Sequence, residues 1–349
     1  MNAPKLRFKE FNDEYINLKY KDVLKIKSGK DQKKVECESG IYPILGTGGQ
    51  IGKTNSFLYD KTSVLIGRKG TINKPQYMET PFWTVDTLFY SHIYEPNIPK
   101  YLFYSFQNVN WKKYDESTGV PSLSSSTIES VECNIPSKEE QLKVADFLSL
   151  LDKKIELQSK KIEDLKLFKK GLSTTIFNSL RDFEEYKLGK ICNITTGKLD
   201  ANAMIDNGKY RFYTCAKEYS LIDKYAFDTE ALLISGNGAY VGYIHYYKGK
   251  FNAYQRTYVL DNFSQNIQFI KCYLEENLAK RINSEKKEGN TPYIVLSTLS
   301  DMVIKIPSKE NQIKISNIIN CHNKKIELEE NKLLKLQELK KGLMQSMFV

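Results

Sequence analysis

Arginine is scarce in this chain of 349 residues. It occurs six times, at Arg7, Arg68, Arg181, Arg211, Arg256 and Arg281, and lysine supplies the rest of the positive charge. Arginine is the side chain best shaped for bidentate contact with guanine, so the few arginines in globular segments stand out. Histidine is scarcer still, at His92, His245 and His322, and offers no metal-ligand spacing. The six cysteines, Cys37, Cys133, Cys192, Cys215, Cys272 and Cys321, form no C-x-x-C pair, which excludes a zinc ribbon or a thioredoxin-like site and fits reduced thiols. The N-terminus has no apolar signal segment, and no apolar run approaches the roughly 18 residues of a membrane span. The expectation is a soluble, cytoplasmic protein with no membrane contact and no bound metal.

Patterns of catalysis are missing as well. The chain has no nucleophile elbow, no H-E-x-x-H and no histidine placed by motif beside an acid. Helicase and nuclease signatures are absent. Neither Lys74-Pro75-Gln76-Tyr77 nor Thr291-Pro292-Tyr293 matches the Asp/Asn-Pro-Pro-Tyr loop that adenine methylation requires. The segment GTGGQIGKT at 46–54 imitates a phosphate-binding loop but fails on spacing: the motif needs glycine at position 47, which is Thr47. A glycine turn between strands explains it better. The segment from Gly236 to Gly242 misses the dinucleotide fingerprint by one residue. A binding protein without a catalytic site is what remains.

What is present is enough apolar residue, 41%, to build real cores, and enough length for about two domains. The net charge is +10 and the pI about 9.0. Basic groups gain free energy by displacing counterions from phosphates, so the balance favours a polyanionic partner.

The organising feature is a tandem repeat. Residues 135–177 and 306–348 align without gaps and agree at 19 of 43 positions. Their anchors are Ile-Pro-Ser-Lys-Glu at 135–139 and 306–310, Lys-Lys-Ile-Glu-Leu at 153–157 and 324–328, and Lys-Lys-Gly-Leu at 169–172 and 340–343. The preceding segments match more faintly. The triplet 28–30 parallels 196–198, Gly70 falls opposite Gly238, and Pro121 falls opposite Pro292. The chain therefore reads globular, helix, globular, helix. Its segments are 1–134, 135–180, 181–305 and 306–349.

The repeated segments read as helices. Ser137 sits at an N-cap position and Glu140 completes a capping box, whereas Ser308 is followed by Asn311 and keeps half of that signal. Apolar residues recur at heptad-like spacing: Leu151, Ile155, Ile162, Leu165, Leu172 and Ile176, then Ile326, Leu333, Leu336, Leu343 and Met347. Roughly 40 residues at about 1.5 Å each make a rod of about 60 Å. Two such stripes in one chain are expected to pack on each other as an antiparallel coiled coil with an internal pseudo-twofold axis. Leu151, Ile155, Ile162, Leu165, Leu172, Ile326, Leu333, Leu336 and Leu343 are the candidates for that packing and for partner binding.

The globular segments hold short runs rich in Val, Ile, Tyr and Phe between glycine and asparagine turns, such as 63–66, 88–90, 231–234 and 257–260. Helices are expected near 100–108 and 268–281. The predicted class is α+β, with mixed, largely antiparallel sheets in two domains separated by the two helices. Equivalent turns follow Ile66 and Ile234. Glycine there lets a backbone approach a partner closely, and Arg68, Lys69, Thr71, Asn73 and Lys74 on one side, Asn237 and Tyr240 on the other, can meet base edges or phosphates. The segments 83–86 and 254–256 form a second pair of places, where Gln255 and Arg256 suit adenine and guanine.

This organisation resembles the specificity subunits of type I restriction–modification systems. The most specific part is the Ile-Pro-Ser-Lys-Glu-x-Gln entry at 135–141 and 306–312. The resemblance implies two target recognition domains, each reading one half of a split, asymmetric sequence in double-stranded DNA. It implies helices that set the gap and dock two copies of a modification subunit, which methylates adenine N6. It further implies that S-adenosylmethionine, with ATP and Mg where restriction subunits join, belongs to the partner subunits and that this chain binds no cofactor. A rod of about 60 Å can hold two readers about one helical turn, some 34 Å, apart on duplex DNA. The alternative is a non-catalytic coiled-coil interaction scaffold whose basic charge is incidental.

Overall fold

The computed structural model describes residues 3–285 and 293–348, so Thr291 and Pro292 of the repeat lie outside the described residues. Two compact units divide the chain: Met1–Ser159 with Asn331–Val349, and Lys160–Glu330. The division runs through both long helices, Lys138–Asn178 and Lys309–Met347, so each unit contains a stretch of both.

In the first unit the strand Ser63–Gly67 is buried at every position, as an unbroken apolar run requires. It lies inside an antiparallel sheet of order Leu24–Ser28, Leu88–Ile93, Ser63–Gly67, Gln76–Met78. A second sheet has the order Gly49–Thr54, Tyr42–Gly46, Trp83–Thr84, and its pairing of Tyr42–Gly46 with Trp83–Thr84 is parallel. The 46–54 segment is thus a tight turn at 46–49 followed by the strand Gly49–Thr54, and Gly49 takes a φ of +114°, open to glycine without strain. The helix Pro99–Asn108 opens with proline, whose fixed φ suits a first turn, and buries Tyr101, Leu102, Tyr104 and Phe106. The end of the chain completes this core: Met344, Met347 and Phe348 join it, and the Phe348 ring lies 5.2 Å from that of Tyr101.

The second unit holds a six-stranded sheet of order Asn193–Thr196, Thr257–Asp261, Phe227–Ser235, Ile244–Ala253, Tyr210–Tyr213, Ser220–Ile222. Here the pairing of Tyr210–Tyr213 with Ile244–Ala253 is parallel and the others are antiparallel. The helix Ile267–Glu285 packs with Leu232, Ile234 and Leu260, and Phe177 from the first long helix meets Phe269 and Tyr273 at 6.0 and 5.4 Å. A smaller cluster holds Tyr213, Leu233, Phe251 and Val259. The α+β class with largely antiparallel sheets and two long helices is as the patterning predicts.

Both helix entries are built alike. Ser137 Oγ accepts the backbone N–H of Glu140 at 3.3 Å, and Ser308 Oγ that of Asn311 at 3.4 Å. The glutamate half of the expected capping box is corrected by the structure. The Glu140 carboxylate, 1% exposed, instead receives Arg7 Nε and Nη2 at 2.8 and 2.7 Å and the Tyr15 hydroxyl at 3.0 Å. A bidentate guanidinium is a stronger donor to a carboxylate than a single backbone amide.

Within the second unit the helices run antiparallel, since Lys161 pairs with Glu329 at 3.0 Å while the Phe168 ring lies 5.2 Å from His322. In the first unit Lys340 reaches Asp152 at 2.5 Å. The heptad positions face inward: Ile162 and Ile326 are buried, and Leu151, Ile155, Leu165, Leu172, Leu333, Leu336 and Leu343 are half-buried. Leucines outside that phase, among them Leu157, Leu167, Leu328 and Leu334, are more than half exposed.

Candidate nucleic-acid interface

In the first unit, the turn after Ser63–Gly67 is held almost wholly by its backbone. Arg68 and Lys69 donate to the Thr87 carbonyl at 2.8 and 3.2 Å, and Gly70 donates to Pro121 at 2.7 Å. Leu123 in turn donates to the Arg68 carbonyl at 2.9 Å, and Lys69 pairs with Ser122 in an isolated antiparallel bridge. Gly70 has a φ of +95°, and a Cβ at Gly67 would stand 2.2 Å from the Thr71 carbonyl oxygen, so both positions demand glycine. This leaves the Arg68 and Lys69 side chains exposed, with one Arg68 N–H on the Asp86 carbonyl at 3.4 Å. Thr71 is half-buried. Asn73 and Lys74 are exposed at the edge of a cleft of about 460 Å³ that also holds Gln107, Lys340 and Lys341.

The second unit repeats the device with different side chains. Gly236 donates to the Arg256 carbonyl at 2.9 Å, Ile294 donates to Gly236 at 2.8 Å, and Asn237 bridges to Tyr293. Gly238 takes a φ of +80°. Asn237 is half-buried, and Tyr240, Gln255 and Arg256 are exposed. The structure therefore brings the 237–240 turn and the 255–256 turn side by side through the Gly236–Arg256 bond. In the first unit the predicted 83–86 segment is mostly withdrawn: Thr84 and Val85 are buried, Trp83 donates to the Lys30 carbonyl at 2.9 Å, and Asp86 is exposed, while Thr87 takes the place of Arg256.

Two neighbouring loops were not singled out by the sequence. Residues 115–123 strap the first turn, with Asp115 Oδ1 accepting the Ser117 and Ser122 amides at 3.0 and 2.9 Å. Those hydrogen bonds hold the Asp115 carboxyl below its usual range. The Gly119-Val120-Pro121 composition was the available signal. In the second unit Tyr293 and Ile294 do the strapping, and the loop 215–219 adds to it: Cys215 Sγ lies 3.4 Å from the Arg256 carbonyl and Lys217 Nζ stands 5.3 Å above the Tyr240 ring. His245 Nε2 is 2.9 Å from the Ala216 carbonyl, and burial lowers the pKa of this histidine. Among the described residues, no cluster of His, Cys, Asp or Glu could hold a metal ion, and no helix is long and apolar enough to cross a membrane.

Comparison with known proteins follows the same division. A family model for the type I restriction modification DNA specificity domain matches residues 12–167 and again 181–338. The chain is 35% identical over 165 residues to the type I restriction enzyme EcoDI specificity subunit of Escherichia coli, covering 47% of this chain and 36% of that protein. It therefore spans about a third of that relative's length. It is 25% identical over 292 residues to the MjaIX specificity subunit of Methanocaldococcus jannaschii, covering 71% of this chain and 67% of that one. The fold is shared with the type I restriction–modification S subunit from M. genitalium, with a TM-score of 0.71 at 19% identity over 99% of both chains. Matched twice, once on each copy of the repeat, and carrying the same pinned glycine turn in both units, the chain belongs to the type I restriction–modification DNA specificity family.

Proposed function

We propose that this chain is the non-catalytic, sequence-reading subunit of a cytoplasmic adenine-N6 methyltransferase complex, and that each globular domain reads one half of a split, asymmetric DNA target. The observation that carries the reading is the paired turn. One backbone device, fixed by a left-handed glycine and by bonds to a neighbouring strap, presents Arg68 and Lys69 in one unit and Asn237 and Tyr240 in the other. A shared scaffold with unlike side chains suits two readers of the same kind of surface with unequal targets. Residues 1–134 and 181–305 supply the readers. The helices of 135–180 and 306–349 set the gap between half-sites, and their exposed leucines dock two modification subunits, which bring S-adenosylmethionine. Where restriction subunits join, they bring ATP and Mg to the same assembly.

The test is to co-produce the chain with its modification subunits and map methylated adenines in the host DNA. One bipartite sequence with an unread gap is expected. Methylation without sequence preference, or at a continuous site, would overturn the proposal.

A further inference from the structure

Arg211 is one of the scarce arginines that the reading turns leave unexplained. Its half-buried guanidinium lies between two tyrosine rings, 4.3 Å from the centroid of Tyr219 and 4.5 Å from that of Tyr247, and donates one N–H to the Tyr213 hydroxyl at 3.3 Å. The ionisable groups around it are all tyrosines, and among the described residues it makes no ion pair. A guanidinium has five N–H donors in a fixed plane. The rings fix that plane and leave the edge donors free for an anion.

Comparison of the two units shows that the fold does not need this charge. Each unit has one parallel strand pairing in its sheets, and a backbone bond beside it fixes the equivalence: Val85 donates to the Leu45 carbonyl in the first unit as Tyr254 does to the Tyr213 carbonyl in the second, so Arg211, two residues before Tyr213, matches Pro43. Pro43 is half-buried and pairs with Lys53 in the hairpin. The same scaffold position is thus satisfied by an aliphatic side chain.

Its location points to the anion. The loop 215–219 touches the Arg256 carbonyl through Cys215, the Tyr240 ring through Lys217 and the Arg211 guanidinium through Tyr219. Five residues reach at most about 17 Å. A duplex lying on the two reading turns carries a phosphate about every 3.4 Å along each strand, so several fall within that reach.

We propose that Arg211, clamped by Tyr219 and Tyr247, binds a phosphodiester of the DNA backbone beside the half-site read by the second unit. This rests on the reading of the chain as a DNA-recognition subunit. The contact positions the duplex and carries no sequence information. The first unit, with Pro43 at that place, has no counterpart.

The experiment uses the assembled methyltransferase and duplexes containing either the mapped target or a scrambled one. Arg211→Leu, which keeps side-chain bulk without the charge, and Arg211→Gln are compared with the parent across a salt series. Both variants are expected to weaken the two duplexes alike, by roughly tenfold, and to reduce the slope of log affinity against log salt by about 0.9. A single uncharged methylphosphonate near the second half-site should weaken the parent by the same factor and leave the variants unaffected. An unchanged slope with unchanged methylphosphonate sensitivity, in variants that melt like the parent, overturns the contact. So does a changed sequence preference at constant slope. A parent complex that prefers no sequence sinks the DNA-reading proposal itself, whatever Arg211 does.

Discussion

The side-chain carbonyl of Gln141 accepts the backbone N–H of Ile98 at 2.9 Å and so ties the start of the first long helix to the start of the helix Pro99–Asn108. The amide nitrogen of the same side chain donates to the Pro136 carbonyl at 3.1 Å. Gln312 does the same for Asn266 and Pro307, at 3.0 and 2.9 Å. Both glutamines are almost fully buried. The repeated Ile-Pro-Ser-Lys-Glu-x-Gln therefore has a mechanical meaning: its glutamine satisfies two backbone groups of different elements at once. Gln141→Leu and Gln312→Leu should each destabilise their own unit by about 1–3 kcal/mol, because each leaves a buried amide and a carbonyl unpaired. Hydrogen exchange localised at Ile98 or Asn266 checks this; equal loosening of both units by one substitution would contradict it.

Arg7 and Glu140 are 133 residues apart in sequence and form a nearly enclosed bidentate pair. Arg7→Met should cost about 3–5 kcal/mol, since it strands a buried carboxylate. Arg7→Met combined with Glu140→Leu should recover part of that loss. Urea denaturation of the four species forms the cycle, and additive effects would show that the two groups are not coupled.

His245 has its proton affinity lowered by burial, which outweighs the nearby Ala216 carbonyl. The unfolded chain therefore binds this proton more readily than the folded one, and stability falls as pH drops below about 6.5 toward the folded value. Melting of the chain between pH 7.5 and 5 should show that loss, and His245→Gln should flatten it. An identical slope in the variant would assign the acid sensitivity to other groups.

The reading turns predict separable phenotypes. Arg68→Ala and Lys69→Ala should relax or abolish the preference at one half-site, and Asn237→Ala and Arg256→Ala at the other. About 1–3 kcal/mol of discrimination is expected for each lost bidentate base contact. The readout is the map of methylated sites for each variant. Simultaneous change in both halves from one substitution would refute independent readers.

Helix length gives the last prediction. Adding one helical turn to each long helix, at its middle, lengthens the spacer by about 5.4 Å. Against about 3.4 Å of rise per base pair, the unread gap should grow by about one to two base pairs. A gap that stays the same would remove the ruler role.

Strand and helix positions were largely legible in the sequence because they depend on patterns within a short window. The apolar runs at 63–66 and 231–234 became buried strands, and the expected helices near 100–108 and 268–281 are Pro99–Asn108 and Ile267–Glu285. The candidate site was legible in part. Glycine spacing marked the turns after Ile66 and Ile234. It could not show that Asp115 braces the first turn's strap or that the loop 215–219 reaches the second turn, because those contacts come from segments outside the repeated pattern. Trp83-Thr84-Val85-Asp86 looked as available as Gln255-Arg256, yet Thr84 and Val85 are buried.

The sequence by itself determined the duplication, the two long helices, the inward phase of their leucines and the class of each globular segment. All of these are periodicities or identities along the chain. Tertiary structure alone decided that Glu140 serves Arg7 rather than a capping box, that Phe348 completes the first unit's core, and that Arg211 stands between two tyrosines where its counterpart is Pro43. Those outcomes depend on which distant residues meet when the cores close, and burial then fixes the partner of each polar group.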